Sequence, residues 1–178
     1  MNCTIREISL NDIPYVVDYF LNANASFLRG MGADKNKLPA RTDWVEQLTK
    51  EFHKPPKEKS YLYFIWLLND RPIGHSNVNN IHYGKHALMH LHIWHDQHRN
   101  KGLGTTFLKL TIPHYFNILA LQTLICEPYA QNPAPNKTLT KLGFSFMKSY
   151  ETTPGPINLK QVVSRYEITK EQSQKLMY

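Results

Sequence analysis

The stretch Trp94-His95-Asp96-Gln97-His98-Arg99-Asn100-Lys101-Gly102-Leu103-Gly104-Thr105 reads as the end of a strand, a basic turn with two glycines, and the opening of a helix. Glycine lets the backbone approach a ligand closely. The first N–H groups of a helix lack intrahelical partners, and the helix dipole favours negative charge beside them. Arg99 and Lys101 add positive side chains. Such a loop suits a diphosphate. Taken alone it suits an ordinary strand-to-helix turn equally well, because glycine pairs are common punctuation, so the surrounding sequence has to decide.

Downstream, Leu103, Phe107, Leu110 and Ile118 recur at helical spacing over Gly102 to Leu119, with Pro113 expected to kink or end the first half. Upstream, Tyr61 to Leu68, Ile73 to Tyr83 and Ala87 to Trp94 read as strands joined by Asn69-Asp70-Arg71-Pro72 and Gly84-Lys85, an antiparallel meander. Before them come a strand near Thr4 to Ser9 and a helix capped by Asn11 or Asp12, with Pro14 in its first turn and Ile13, Val16, Val17, Phe20 and Leu21 on one face. A second helix follows, capped by Thr42 or Asp43 and striped by Trp44, Leu48 and Phe52. After the glycine loop and its helix, Thr123 to Tyr129 is a strand, Asn136 to Lys141 a short helix stopped by Gly143, and Phe144 to Glu151 and Gln161 to Thr169 two closing strands. The order βααβββαβαββ describes a mixed α/β sheet with helices on its faces.

With 178 residues, 42% hydrophobic and 20% charged, the chain suits one globular domain over residues 1–178. The longest apolar run, Tyr61 to Leu68, is far short of the roughly 20 residues of a membrane span, and Met1 to Thr4 opens no signal-peptide pattern. A soluble, cytoplasmic protein with no membrane partner is expected. Cys3 and Cys126 are too few for a disulfide framework. The net charge of +7 is uneven: residues 1–96 hold 11 basic against 10 acidic side chains, and residues 97–178 hold 10 against 4. An anionic partner therefore belongs on the second half. Nucleic acid is not expected, since this charge is not interleaved with aromatics in a recognisable motif.

Arg99-x-x-Gly102-x-Gly104, lying between the fourth strand and the third helix, resembles the acyl-CoA pyrophosphate loop of the GCN5-related N-acetyltransferase (GNAT) superfamily. Asn132 after the fifth strand and Lys141-Leu142-Gly143-Phe144 match further marks of that family, and Asp70-Arg71-Pro72-Ile73-Gly74 is similar to the hairpin of the branch containing the ribosomal-protein alanine N-acetyltransferases. The resemblance implies a GNAT-like fold and acetyl-CoA as cosubstrate, with no metal. It implies that main-chain groups of His92 and Trp94 bind the pantetheine arm, that the amides of Arg99, Asn100, Lys101, Gly102, Leu103, Gly104 and Thr105 hold the diphosphate, and that Asn132 contacts the cofactor.

Six of the nine histidines fall within residues 82–98. Strand parity puts His86, His90 and His92 on one face with Leu88 and Trp94, and Met89, Leu91 and Ile93 on the other, so one face is expected to be core and the other polar. A thioester is attacked only by a neutral amine, and at pH 7 about a tenth of α-amino groups are neutral. In the family the fourth strand often supplies the base, which makes His90 the first candidate and His92 the second; both also suit a half-buried structural role. The pattern His90-x-His92-x-x-His95-Asp96 additionally resembles a metal-ligand cluster, although its spacing departs from the metallo-hydrolase one. The tyrosine that many relatives use to protonate the thiolate would stand seven residues after Asn132, where this chain has Leu139. Tyr129 is a replacement by location, and Glu127 is either a second base or a structural acid paired with the basic loop. Phe27 to Gly32 and the loop Ala33 to Arg41 lie where the family builds its acceptor wall. The expected reaction is acetyl transfer to a primary amine, on a small molecule or peptide, in a ternary complex. His90 removes the proton and main-chain N–H groups near Trp94 hold the oxyanion. A silent acyl-CoA-binding module is the alternative. A monomer or homodimer is expected.

Overall fold

The computed structural model describes residues 1–177; residue 178 of the expected domain lies outside the described residues. Seven strands, β1 (Cys3–Glu7), β2 (Leu62–Leu68), β3 (Arg71–His82), β4 (His86–Ile93), β5 (Thr123–Cys126), β6 (Ser145–Thr152) and β7 (Gln161–Thr169), form one sheet in the order β1-β2-β3-β4-β5-β7-β6. Only β4 and β5 run parallel; every other neighbouring pair is antiparallel. The helices are α1 (Ile13–Leu21), α2 (Ala25–Gly30), α3 (Arg41–Phe52), α4 (Leu103–Ile118), α5 (Pro133–Lys141) and α6 (Lys170–Gln174).

The expected order is present, with two short helices added. Asn24 caps α2 by accepting from the amide of Phe27 at 2.8 Å, and Thr169 and Gln172 form a capping box at α6. Helix α3 starts at Arg41, ahead of the expected cap at Thr42 or Asp43. Strand β5 stops at Cys126 rather than Tyr129, because Pro128 has no N–H to donate. Helix α5 begins at Pro133, where fixed φ suits the first turn, not at Asn136.

Pro113 does not break α4. It removes the donor for the carbonyl of Lys109, which lies on the exposed side, while Phe107, Leu108, Ile112, Tyr115 and Phe116 bury the opposite side against the sheet.

Strand β2 is buried on both faces. Leu62, Phe64 and Trp66 pack with α4 in the larger core, where the Trp66 and Phe107 rings stack at 5.2 Å, and Tyr63 and Ile65 pack with Ile13, Val16, Val17 and Leu48 of α1 and α3. The β2–β3 turn has φ of 48° at Asn69 and 62° at Asp70, the left-handed pair that matches the twist of a tight hairpin. Asp18 of α1 holds Arg41 of α3 through bonds of 2.8 and 3.0 Å.

Candidate active site

Strand β4 has two unlike edges. Toward β3 it is paired from Leu88 to Ile93. Toward β5 it is paired only at His86, Ala87 and Leu88, after which the strands part; the Cys126 thiol donates to the Met89 carbonyl at 3.1 Å at the fork. The Trp94 amide donates to the Ile73 carbonyl on β3 at 2.9 Å. Main-chain direction alternates along an antiparallel pair, so His90 and His92 also turn toward β3, while Leu91 and Ile93 turn into the gap. This corrects the expectation for His92 and Trp94. The main-chain groups open to a pantetheine arm, or to an oxyanion, are both groups of Leu91 and the N–H of Ile93, one residue earlier in phase; the Ile93 carbonyl is taken by Arg99.

The gap leads to the start of α4. Gly102 caps that helix with φ of 75°, and Asn100 is also left-handed at 59°. A β-carbon placed on Gly102 or Gly104 meets nothing within 4 Å, so both face open space. Among the described residues, the amides of Asn100 through Thr105 have no hydrogen-bond partner; the first N–H taken is that of Thr106, by Gly102. A concave run of free donors at a helix N-terminus fits a diphosphate.

Arg99 departs from expectation. Its Nε and Nη2 donate to the Ile93 carbonyl at 3.1 and 2.9 Å, its Nη1 pairs with Asp96, and its guanidinium lies 4.2 Å over the Phe27 ring. Five fixed donors make arginine a bracket. Here they tie the loop to the end of β4 and to α2, and Lys101 is left as the loop cation with no partner among the described residues.

The expected polar face of β4 is half-buried, and α1 covers it at His92. His92 lies between Phe20 (5.0 Å), Tyr19 (5.5 Å) and His75 of β3 (4.9 Å). Burial holds the three imidazoles neutral: it pushes His75 down to about 3, His90 to about 4, and His92 well below the usual range. His75 accepts from the Trp94 indole at Nδ1 (2.8 Å), which puts its proton on Nε2, and that atom has no partner. His90 bonds Asn79 Oδ1 through Nε2 at 3.2 Å; with Nε2 protonated, Nδ1 keeps a lone pair. The Tyr19 hydroxyl is 3.5 Å from His92 Nδ1, and burial raises that phenol to about 12.

Continuing the β4–β5 register places Glu127 level with His90 across the gap, where its negative charge opposes the effect of burial on His90. Glu127 pairs with Arg165 of β7 at 2.8 Å and accepts from the Tyr150 hydroxyl at 2.6 Å, so its cation is not in the basic loop. Tyr129 bridges Val163 and donates to Gln131 at 2.8 Å. Asn132 caps α5, its side chain free of any capping bond and its carbonyl accepting from Asn136 at 2.6 Å. Leu139 is fully buried in the core. Among the described residues no three His, Cys, Asp or Glu side chains gather to hold a metal ion, so His90, His92, His95 and Asp96 do not form the cluster their spacing suggests.

Residues 2–145 match the family model described as the acetyltransferase (GNAT) domain. The chain belongs to the GNAT acetyltransferase family. No curated protein sequence matches it. Similar solved GNAT structures include the spermidine N-acetyltransferase of Vibrio cholerae in complex with CoA and spermine, at TM-score 0.78 and 19% identity, covering 97% of this chain and 98% of that one. RimL, a ribosomal-protein alpha-N-acetyltransferase in complex with coenzyme A, aligns at 0.77 and 12% over 95% and 94%. The aminoglycoside acetyltransferase AAC(6')-Ib, also with coenzyme A, aligns at 0.74 and 16% over 99% and 100%. At these identities the likeness is one of GNAT fold. No helix among the described residues is long and apolar enough to cross a membrane.

His75, Asn79, Tyr19 and Arg165 were not singled out by sequence. The signal available was Ile73-Gly74-His75-Ser76-Asn77-Val78-Asn79 in a strand between two others: a central strand that polar must bury hydrogen-bonding groups.

Proposed function

We propose that this chain is an N-acetyltransferase that moves an acetyl group from acetyl-CoA to a primary amine by direct attack in a ternary complex. The observation that carries this reading is the gap between β4 and β5. It opens the main chain of Leu91 and the N–H of Ile93 and runs to the free amides at the start of α4.

Acetyl-CoA supplies the acetyl group already activated as a thioester. The amides of residues 100–105 hold the diphosphate, assisted by Lys101. The free main chain of Leu91 and the free N–H of Ile93 orient the pantetheine arm as an added strand would be oriented. An N–H of the same pair donates to the carbonyl oxygen as it gains charge. Asn132, uncommitted at the cap of α5, faces the cofactor beyond β5. His90 takes the proton that leaves the attacking nitrogen, at Nδ1 or through a water it orders, and Glu127 steadies the imidazolium so formed. His92 supports this from the adjoining position. As the C–S bond breaks, the sulfur takes a proton from a phenol; Tyr129 stands on the β5 side of the gap and Tyr19 on the β4 side.

Calorimetric titration of acetyl-CoA into the wild type and into Gly102→Glu, followed by thioester consumption with a panel of amines, tests the reading. Binding by the wild type, its loss in a folded variant, and consumption with an amine are expected. No binding by the wild type overturns it. Binding without consumption for any amine marks a silent acyl-CoA module, the second reading, which Leu139 in the core favours.

A further inference from the structure

Beside the end of β4 lies a cleft of about 440 Å³ between α1, α2 and the loop that leads to α4. Tyr15, Tyr19, Phe27 and Trp94 supply its aromatic walls, and Asp18 and Asp96 its carboxylates. Tyr15 is 59% exposed on α1 yet stacks over Trp94 with centroids 6.3 Å apart and planes 22° from parallel. Trp94 is fixed from behind by His75, and Tyr19 meets Phe27 edge-on at 6.2 Å. Tyr19 also reaches His92, so the cleft adjoins the strand that carries the candidate bases.

The charges around this cleft are already matched. Asp18 is held by both nitrogens of the Arg41 fork, Asp96 by Arg99, and Glu127 across the gap by Arg165. Of residues 23 to 41 only Ala23, Asn24 and Phe27 line the cleft, and none of them carries a charge. A polycation needs unpaired carboxylates spaced along its length, and both carboxylates that line this cleft are paired. Flat apolar rings favour a different body: one that stacks and loses water.

We infer that the acceptor is a primary amine on an aromatic or apolar body, carrying at most one positive charge, and that Tyr15 and Trp94 select it against polyamines and aminoglycosides. This deepens the proposed function and rests on it. The spermidine and aminoglycoside enzymes that share the fold are named for polycationic acceptors, so the inference separates this chain from both.

The test first titrates acetyl-CoA alone into the full chain. It then measures kcat/KM for phenylalaninamide, alaninamide, spermidine and an aminoglycoside, each with the wild type, Tyr15→Ala and Tyr15→Phe. Phenylalaninamide and alaninamide share the same reacting amine, so their ratio isolates the ring. A preference of roughly tenfold for phenylalaninamide is expected, the effect of one good aromatic contact. Tyr15→Ala should reduce that ratio toward one, Tyr15→Phe should restore it, and neither should change the acetyl-CoA Kd. Acetyl-CoA binding together with faster turnover of spermidine or the aminoglycoside overturns this inference and leaves the proposed function standing, as does a ratio that Tyr15→Ala leaves unchanged. Failure to bind acetyl-CoA overturns both.

Discussion

The two edges of β4 behave as if they belonged to different proteins. Along β3 the strand is saturated, so closely that a β-carbon on Gly74 would lie 2.4 Å from the His92 carbonyl oxygen. Along β5 the same strand lets go after Leu88 and leaves main-chain groups open in the middle of a seven-stranded sheet. Buried main-chain polar groups are nearly always paired, and an open edge in mid-sheet is therefore a cost that a ligand strand would relieve. The closed edge supplies rigidity: three neutral imidazoles, Tyr19, Phe20 and Trp94 are held in fixed relation by it. One edge is closed and the other is the proposed binding edge, and substitutions should sort accordingly.

The largest effect is expected on the open edge. Gly102→Glu places a carboxylate among the amides of residues 100–105, and like charges brought together cost several kcal/mol, so acetyl-CoA should bind about 100-fold more weakly or worse. Circular dichroism should show an intact fold, because the added side chain meets open space and the left-handed φ of 75° costs a non-glycine residue only about 1–2 kcal/mol. Retained affinity would place the diphosphate elsewhere.

A loss of similar size is expected in turnover for His90→Gln, about 100-fold in kcat at unchanged acetyl-CoA affinity, the usual contribution of a positioned base. Because Gln preserves a donor for Asn79, a full kcat in this variant would assign His90 to structure alone.

On the closed edge, Gly74→Ala should lower stability by about 1–3 kcal/mol, the ordinary result of overpacking a tight contact. Urea denaturation reads it directly. If acetyl-CoA binding in the folded fraction is unaffected, the two edges are independent; a parallel loss of affinity would show that the closed edge sets the shape of the open one.

Acid should also act through the closed edge. His75 and His90 sit at about 3 and about 4 in the folded protein, below the roughly 6.5 of an unfolded chain. Between those values the unfolded chain binds more protons, so stability is complete above about pH 6.5 and falls as pH drops toward 4. Each histidine contributes up to about 1.4 kcal/mol per pH unit in that window. Denaturation curves at pH 7.5, 6 and 5 should show the decline, and His90→Gln should make it shallower. A flat profile would mean that these rings are reached by water.

The smallest effects concern the phenols on either side of the gap. Tyr129→Phe should slow turnover severalfold without weakening acetyl-CoA, since the hydroxyl is partnered only by Gln131. Tyr19→Phe is the matched variant on the other side, and whichever reduces kcat identifies the proton donor; no change in either removes both from the reaction.

Much of this was legible in the chain. The glycine loop, the helix after it and the meander before it were marked by turn residues and apolar period, and Ile13, Val16, Val17 and Phe20 form the buried face of α1 as their spacing required. The loop's reading as a diphosphate site rests on free amides, a property any helix start has. The departures share one cause. Pro113, the polar parity of β4 and the free charge of Arg99 were judged from local pattern, and each was decided by what packs against it. Arg99 reads as a ligand-binding cation until β4 offers it a carbonyl and α2 an aromatic ring. The β4 histidines read as one polar face until α1 is laid over His92 and leaves His90 half-buried.

The sequence by itself determined the seven strands, the four longer helices, their order and the glycine turn that opens α4, because glycine conformations, caps and hydrophobic periods act within a few residues. Only the tertiary structure decided where β4 and β5 part, which main-chain groups that opens, and which side chains are neutral. Those depend on strand register and desolvation, which arise between segments far apart in the chain.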